Sequence, residues 1–196
     1  MTALDAYGAR AQEYADVLGS IEVMAPPDRR CIEAWASGVD GPIVDAGCGP
    51  GHWTAHVASL GHEVHGIDPV PEFVEIARRA HPGIAYSVGS FADLHDRAGS
   101  WGGILAWYSL IHLPPEVVPD VLMTLHRALR PTGQLLLGFF DGPRQESFGH
   151  AVAPAQFWPA PRMGALLESA GFTILDLERR HDLGSRPQAA ITASRR

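Results

Sequence analysis

A glycine-rich loop at residues 44–51 is the strongest chemical signal in the sequence. It reads Val-Asp-Ala-Gly-Cys-Gly-Pro-Gly and lies between a predicted buried strand and a predicted helix. Glycines let a backbone turn tightly and approach a ligand, and the start of a helix offers N–H groups that lack partners. A dinucleotide loop of the form G-x-G-x-x-G needs a third glycine where His52 stands. The loop therefore favours a nucleoside ligand and argues against a nicotinamide dinucleotide.

A carboxylate follows the second predicted strand, nineteen residues past Gly49. Asp68 at this place is able to accept hydrogen bonds from both hydroxyls of a ribose. The alternative role of Asp68 is to cap the helix that Pro71 opens. Its position relative to the glycine loop favours the ribose.

Aromatic and titratable side chains follow the fourth predicted strand. His112 is the candidate general base, because an imidazole titrates near neutral pH, although a structural histidine bonded to the backbone is an equal alternative. Trp107 and Tyr108 precede His112, and either ring fits a hydrophobic core as well as a ligand pocket. Tyr7 and Tyr14 lie seven residues apart on one face of a predicted helix, where they fit helix packing as well as a cover over a ligand.

A long connection follows the fifth predicted strand, and it shows no clear periodicity. Connections of this length in a compact domain are usually functional or disordered. His150 and Trp158 in this connection are candidate contacts to a substrate. The histidines and the two cysteines, Cys31 and Cys48, show no metal-ligand spacing, so no metal is expected.

Composition restricts the classes of partner. The chain has 196 residues, of which 46% are hydrophobic and 19% charged, with a formal net charge of −7. Binding of nucleic acid requires a clustered excess of Lys and Arg, so a nucleic-acid partner is not expected. No apolar run approaches the roughly 18 residues of a membrane span, and the N-terminus does not resemble a signal peptide. A cytoplasmic protein is expected, with its oligomeric state left open.

Short apolar runs alternate with helical segments along most of the chain. This alternation predicts an α/β fold with a doubly wound, mostly parallel sheet and helices on both faces. One helix is expected over residues 3–18 and a second over 28–37, with Asp28 as its N-cap. Another helix is expected to open at Pro114, and two final runs form a hairpin. We interpret residues 1–38 as a helical cap and 39–196 as the main domain.

Four segments together resemble the class I S-adenosylmethionine-dependent methyltransferases. Residues 44–51 resemble the first motif of that family, and 66–68 its ribose-binding strand end. Residues 129–136 resemble the turn into its fifth strand, and 170–172 the start of its terminal hairpin. The resemblance implies a seven-stranded sheet whose last strand is antiparallel.

The resemblance also implies site residues. Gly47, Gly49 and Gly51 would pass close to S-adenosyl-L-methionine, and Asp45 would orient the loop or approach the cofactor's ammonium through water. After the third strand the family usually has an Asp and a small residue that touch adenine. Ser90 and Phe91 occupy this region here, so adenine would meet the Ser90 hydroxyl, the Phe91 ring or the carboxylate of Asp93.

The end of the fourth strand lines the methionine end of the cofactor and the acceptor pocket in this family. The resemblance therefore implies that Trp107 contacts the cofactor and Tyr108 the acceptor. Many small members of the family also have an N-terminal helix that closes over the cofactor, so Tyr14 would cover the cofactor and Tyr7 the acceptor.

These patterns predict an S-adenosylmethionine-dependent methyltransferase that acts on a small-molecule acceptor. The alternatives are a module that binds the cofactor without transferring its methyl group and, less favoured, a nicotinamide-dependent oxidoreductase. A nicotinamide enzyme also predicts a separate substrate domain, which the sequence does not show.

Overall fold

The computed structural model describes residues 2–181 and 184–196, and a mixed sheet runs through its centre. The strands are β1 Ile43–Ala46, β2 Val64–Asp68, β3 Ala85–Val88, β4 Trp101–Trp107, β5 Leu129–Asp141, β6 Glu146–Phe148, β7 Ala155–Trp158, β8 Phe172–Arg180 and β9 Gln188–Arg195. The helices are α1 Ala3–Ala9, α2 Ala11–Leu18, α3 Pro26–Ser37, α4 His52–Ser59, α5 Pro71–Ala80, α6 Val118–Ala128 and α7 Ala160–Ser169. Residues Ile21–Val23 and Phe91–Arg97 form 3-10 segments.

The sheet has the expected doubly wound core. Strands β3, β2, β1, β4 and β5 lie side by side in that order and are parallel. Strand β9 pairs antiparallel with β5, and β8 pairs antiparallel with β9. The strand order reverses beside β1, so the loops after β1 and β4 border the place where such sheets bind ligands.

The expected count of seven strands is wrong, since the described residues form nine. The two additional strands are β6 and β7, within the connection that the sequence predicted to be irregular. Strand β7 pairs parallel with the end of β5, and β6 pairs antiparallel with β7. Phe148 stacks on Phe157 across this pair, with ring centroids 4.1 Å apart. Strands of three and four residues are too short to show alternation in a sequence, so cross-strand pairing decides them.

Three helix predictions also need correction. The helix expected over 3–18 is interrupted at Arg10. Gly8 lies two residues earlier, and glycine has a low helix propensity. Helix α3 begins at Pro26, so Asp28 lies in its first turn and is not its N-cap. Helix α6 begins at Val118, because the Pro114-Pro115 turn precedes it without joining it.

The core lies on both faces of the sheet. Alternation along β4 directs Ile104 to one face and Leu105 to the other, and both side chains are fully buried. Helices α6 and α7 cover the first face, while α3 covers the second through Ile32 and Trp35. Helix α3 is therefore packed on the sheet, and only α1 and α2 remain for the proposed cap. None of the helices within residues 2–181 and 184–196 has the length and apolarity that a bilayer crossing requires.

Candidate cofactor and acceptor site

A cavity of about 520 Å³ opens at the carboxyl ends of β1, β2 and β4. This volume lies within the range of about 300–1,000 Å³ that is typical of small-molecule sites. The cavity wall brings together most of the side chains and glycines that the sequence singled out, from both ends of the chain: Tyr7, Tyr14, Gly47, Gly49, Asp68, Ser90, Phe91, Trp107, Tyr108, His112 and His150.

Asp68 joins the glycine loop to the second strand. Its Oδ2 accepts a hydrogen bond of 2.8 Å from the Gly49 N–H, and its Oδ1 accepts one of 2.8 Å from the Val70 N–H. Burial raises the pKa of Asp68 to about 6, although both N–H groups favour the ionised form. The carboxylate therefore holds the loop and forms part of the cavity wall. It does not cap helix α5, whose N-cap is Val70 without a side-chain hydrogen bond, and the ribose contact stays a prediction.

The glycines of the loop serve different purposes. Gly49 has φ +53° and open space beside it, so the backbone itself borders the cavity. A side chain at Gly47 would place its Cβ 2.4 Å from the Ser109 Cβ. The loop after β4 is therefore able to pack closely against the glycine loop only because Gly47 lacks a Cβ. A Cβ at Gly51 would lie 2.8 Å from both the Ala77 Cβ and the Tyr86 hydroxyl. Gly51 thus allows close packing of α4 and does not line the cavity, contrary to the expected cofactor contact.

Asp45 lies behind the loop and also does not line the cavity. Its carboxylate is 2% exposed and accepts a hydrogen bond of 2.6 Å from the Thr54 hydroxyl. Burial raises the pKa of Asp45 to about 7, and the Thr54 hydroxyl opposes this shift. Of the two roles considered for Asp45, the geometry favours orienting the loop, because Thr54 belongs to helix α4 directly after it.

Replacing Thr54 by Val tests this support. Thr54→Val removes the hydroxyl donor from a buried carboxyl, so we expect the free energy of unfolding to fall by about 1–3 kcal/mol. The loss should be larger at pH 8 than at pH 6, because the carboxylate form of Asp45 predominates above its pKa of about 7. Urea denaturation measures this, with the exposed Thr173→Val as a matched control. Equal losses in the two variants would contradict the role of Thr54.

The turn after β3 holds the three side chains considered for adenine contact, which stays a prediction. Ser90 and Asp93 form a reciprocal cap, in which the Ser90 N–H donates to Asp93 Oδ2 at 2.7 Å. The Ser90 hydroxyl donates to the same oxygen at 3.0 Å. Asp93 is thus engaged by the turn and lies outside the cavity wall, whereas Ser90 and Phe91 are part of that wall.

Both ring nitrogens of His112 form hydrogen bonds. Its Nδ1 lies 2.8 Å from the Pro154 carbonyl oxygen, and its Nε2 lies 2.8 Å from the Tyr7 hydroxyl. A carbonyl only accepts, so Nδ1 carries the proton and Nε2 is the basic nitrogen. Burial lowers the pKa of His112, and the Pro154 hydrogen bond opposes this in part. The imidazole is therefore neutral at pH 7 and able to take a proton at Nε2.

A continuous series of rings lines the cavity on either side of His112. Toward Asp68, the Tyr7 ring lies 5.3 Å from His112 and 5.8 Å from Tyr14, centroid to centroid. In the other direction, the His150 ring lies 5.4 Å from His112 and 5.9 Å from Phe140. The ring of Tyr108 follows, 5.1 Å from Phe140. His112 thus stands between a wall that includes Asp68 and a wall that includes Tyr108.

One sequence-derived acceptor contact is wrong. Trp158 is 2% exposed and belongs to the core cluster under β5, α6 and α7, so it does not reach the cavity. Conversely, the cavity wall contains His52, Trp53, Asp28 and Gln188, which sequence reasoning missed. The position of His52, directly after the glycine loop, was an available signal. Asp28 and Gln188 had none, because they are far apart in sequence and belong to different elements.

Comparison with known proteins identifies the central part of the chain. Residues 43–133 match the family model described as "Methyltransferase domain". This part of the chain is therefore similar to a methyltransferase domain. A curated relative, a ubiquinone biosynthesis O-methyltransferase from Xanthomonas axonopodis pv. citri, is 27% identical over 79% of this chain. The chain covers 66% of that relative's length.

Solved structures agree on the fold of the chain. A 1,6-didemethyltoxoflavin-N1-methyltransferase from Burkholderia thailandensis, solved with S-adenosylhomocysteine, has a TM-score of 0.81 at 24% identity. The match covers 98% of this chain and 86% of that one. A 4+2 cyclase has a TM-score of 0.78 at 18% identity, covering 99% of this chain and 96% of that one. The comparisons confirm the resemblance to S-adenosylmethionine-dependent methyltransferases and the Rossmann-like fold.

Proposed function

We propose that this protein transfers the methyl group of S-adenosylmethionine to a small-molecule acceptor. One observation carries the proposal: the glycine loop, Asp68 and a neutral His112 line one cavity at the carboxyl ends of the parallel strands. A cyclase with the same fold shows that the fold leaves the reaction open, so the side chains must carry the argument.

The residues present fit the cofactor. Gly49 borders open space through its backbone alone, which leaves room for a ligand along the loop. The Asp68 carboxylate forms part of the wall beside that loop and is an acceptor suited to ribose hydroxyls. Ser90 and Phe91 would lie against the adenine, and Tyr14 and Trp107 would complete the enclosure. When bound, the cofactor supplies a methyl group on a sulfonium, which is already activated for transfer.

The chain's own residues supply alignment and a proton acceptor. The aromatic rings exclude water and hold the acceptor for an in-line approach. His112 Nε2 receives the proton that the acceptor loses, while Nδ1–H remains bonded to the Pro154 carbonyl. The Tyr7 hydroxyl occupies Nε2 in this structure, so Tyr7 either yields to the acceptor or passes its proton on.

The acceptor is proposed to be a small molecule. Two relatives are named for small-molecule methylation, one at oxygen and the other at nitrogen. The net charge of −7 also favours a small molecule over a nucleic acid as the acceptor.

Calorimetry and a transfer screen test the proposal. The protein should bind S-adenosylmethionine or S-adenosylhomocysteine at micromolar levels and should not bind NAD comparably. Incubation with methyl-labelled cofactor and pooled small molecules should then yield a labelled product. Binding of NAD without binding of either sulfur compound would contradict the proposal. Cofactor binding without transfer to any pool would instead favour the module that binds without transferring.

A further inference from the structure

A polar group stands in the cavity wall beside Tyr108, and the transfer chemistry does not use it. Asp28 from α3 and Gln188 from β9 both line the cavity. Both are bound by the guanidinium of Arg180 in β8. The side chains of Asp28 and Arg180 are each 14% exposed, so the ion pair is largely removed from water.

Arg180 determines which atoms of its two partners remain available. Its Nη2 donates to Asp28 Oδ1 and, over 3.4 Å, to Gln188 Oε1. A guanidinium only donates hydrogen bonds, so it binds an oxygen atom of each partner. Asp28 Oδ2 and the Gln188 amide nitrogen therefore remain available to a ligand. Within residues 2–181 and 184–196, neither of these two atoms has a hydrogen-bond partner. The result is an acceptor and a donor side by side.

The surrounding wall is flat and aromatic. Gln188 is the cross-strand partner of Phe140, and the Phe140 ring lies 5.1 Å from that of Tyr108. Tyr108 has a φ of +54°, a left-handed conformation that is uncommon for a bulky residue and that is found preferentially at functional sites. Its hydroxyl is buried without a hydrogen-bond partner in the described part of the chain.

We propose that Asp28 and Gln188 form the recognition site for the methyl acceptor, which is a planar ring carrying an N–H or O–H donor next to an acceptor atom. This inference rests on the proposed function. A lactam edge or a catechol edge has the required pair of groups: the donor binds Asp28 Oδ2, and the acceptor atom receives the Gln188 amide N–H. A ring held there lies against Tyr108 and Phe140 and extends along the series of rings toward His112.

Matched probe pairs test this inference. Lumazine and 2,3-dihydroxynaphthalene carry the two edges, while 1,3-dimethyllumazine and 2,3-dimethoxynaphthalene lack the donors. Calorimetry on the protein saturated with S-adenosylhomocysteine should show at least one donor compound binding about 10-fold or more tightly than its methylated counterpart, the range for bonds to a charged acceptor. The pair that shows the preference distinguishes a lactam acceptor from a catechol.

Asp28→Asn is the decisive variant. Arg180 would hold the new amide's oxygen, so its NH₂ group would face the ligand donor, and the preference should disappear. Glu178→Gln is the control, since Glu178 lies 3.3 Å from Nε of the same guanidinium but is not in the cavity wall. That variant should keep the preference. Gln188→Met should weaken binding of the donor compound by about 2- to 12-fold, as expected for one neutral hydrogen bond.

The outcomes separate this inference from the proposed function. Equal binding of each probe and its methylated counterpart would overturn the recognition site, as would no binding of either donor compound. The recognition site would also be overturned if Asp28→Asn kept the preference for the donor compound, or if Glu178→Gln lost that preference to the same extent as Asp28→Asn. Both results assume that the two variants bind S-adenosylhomocysteine like the wild type. A wild-type protein that fails to bind S-adenosylhomocysteine would contradict the proposed function alone, and the probe comparison would then be made on the protein by itself.

Discussion

Replacing His112 by Asn should lower methyl-transfer turnover by about 100- to 10,000-fold, the usual contribution of a general base. The Asn amide is able to keep the hydrogen bond to the Pro154 carbonyl that His112 Nδ1 makes, but it offers no basic nitrogen toward Tyr7. The loss should therefore appear in turnover, with cofactor affinity unchanged. Steady-state kinetics with the acceptor found in the transfer screen, together with calorimetry, measure the two quantities.

The pH profile provides an independent check on His112. Burial lowers the pKa of the imidazole, so its basic form persists below the ordinary value of 6.5. Wild-type turnover should stay constant as the pH falls to 6.5 and should decline only below it, and the His112→Asn variant should lose this decline. Tyr7→Phe is the matched variant at the same hydrogen bond, and it should cost less because the base remains. Full turnover by His112→Asn at neutral pH would exclude His112 from catalysis.

Asp68→Asn should weaken cofactor binding by about 10- to 150-fold, because bonds to a charged acceptor contribute about 1.5–3 kcal/mol. The carboxylate is the acceptor proposed for the ribose, and it also receives the N–H groups of Gly49 and Val70. An amide can accept at only one of its two atoms, so the variant should also loosen the loop. Calorimetry with S-adenosylhomocysteine measures the affinity, and Asp96→Asn, at an exposed carboxylate outside the cavity wall, is the control.

The pKa of Asp68 adds a pH dependence to this prediction. Its raised value of about 6 means that the carboxylate takes up a proton as the pH falls through 6. Wild-type affinity for the cofactor should therefore decline between about pH 7 and pH 5, and that of Asp68→Asn should change much less. Unchanged affinity in Asp68→Asn would mean that the ribose binds elsewhere.

The part of the cavity that we propose for the cofactor was predictable from the sequence, because its components are short-range signals. A glycine loop after a buried strand and an acid at the end of the next strand are each readable within a few residues. Parallel strands then place those two segments at one edge of the sheet, with no further information needed. The hydrogen bond between Gly49 and Asp68 is the direct result.

The errors occurred where long-range packing decides the outcome. Trp158 lies on a strand whose pairing with β5 turns its ring into the core, and its local sequence contains no signal for this. Strands β6 and β7 pair with each other, and Phe148 stacks on Phe157 across the pair, which short segments do not reveal.

By itself, the sequence determined the α/β class, the resemblance to methyltransferases and the residues beside the proposed nucleoside, because hydrophobic periodicity and glycine spacing are local properties. Only the tertiary structure decided the tautomer of His112, which depends on Pro154 and Tyr7 from opposite parts of the chain. It alone also placed Asp28 and Gln188 on one guanidinium. Such contacts arise from the packing of α3, β8 and β9 around the sheet, and no spacing along the chain encodes them.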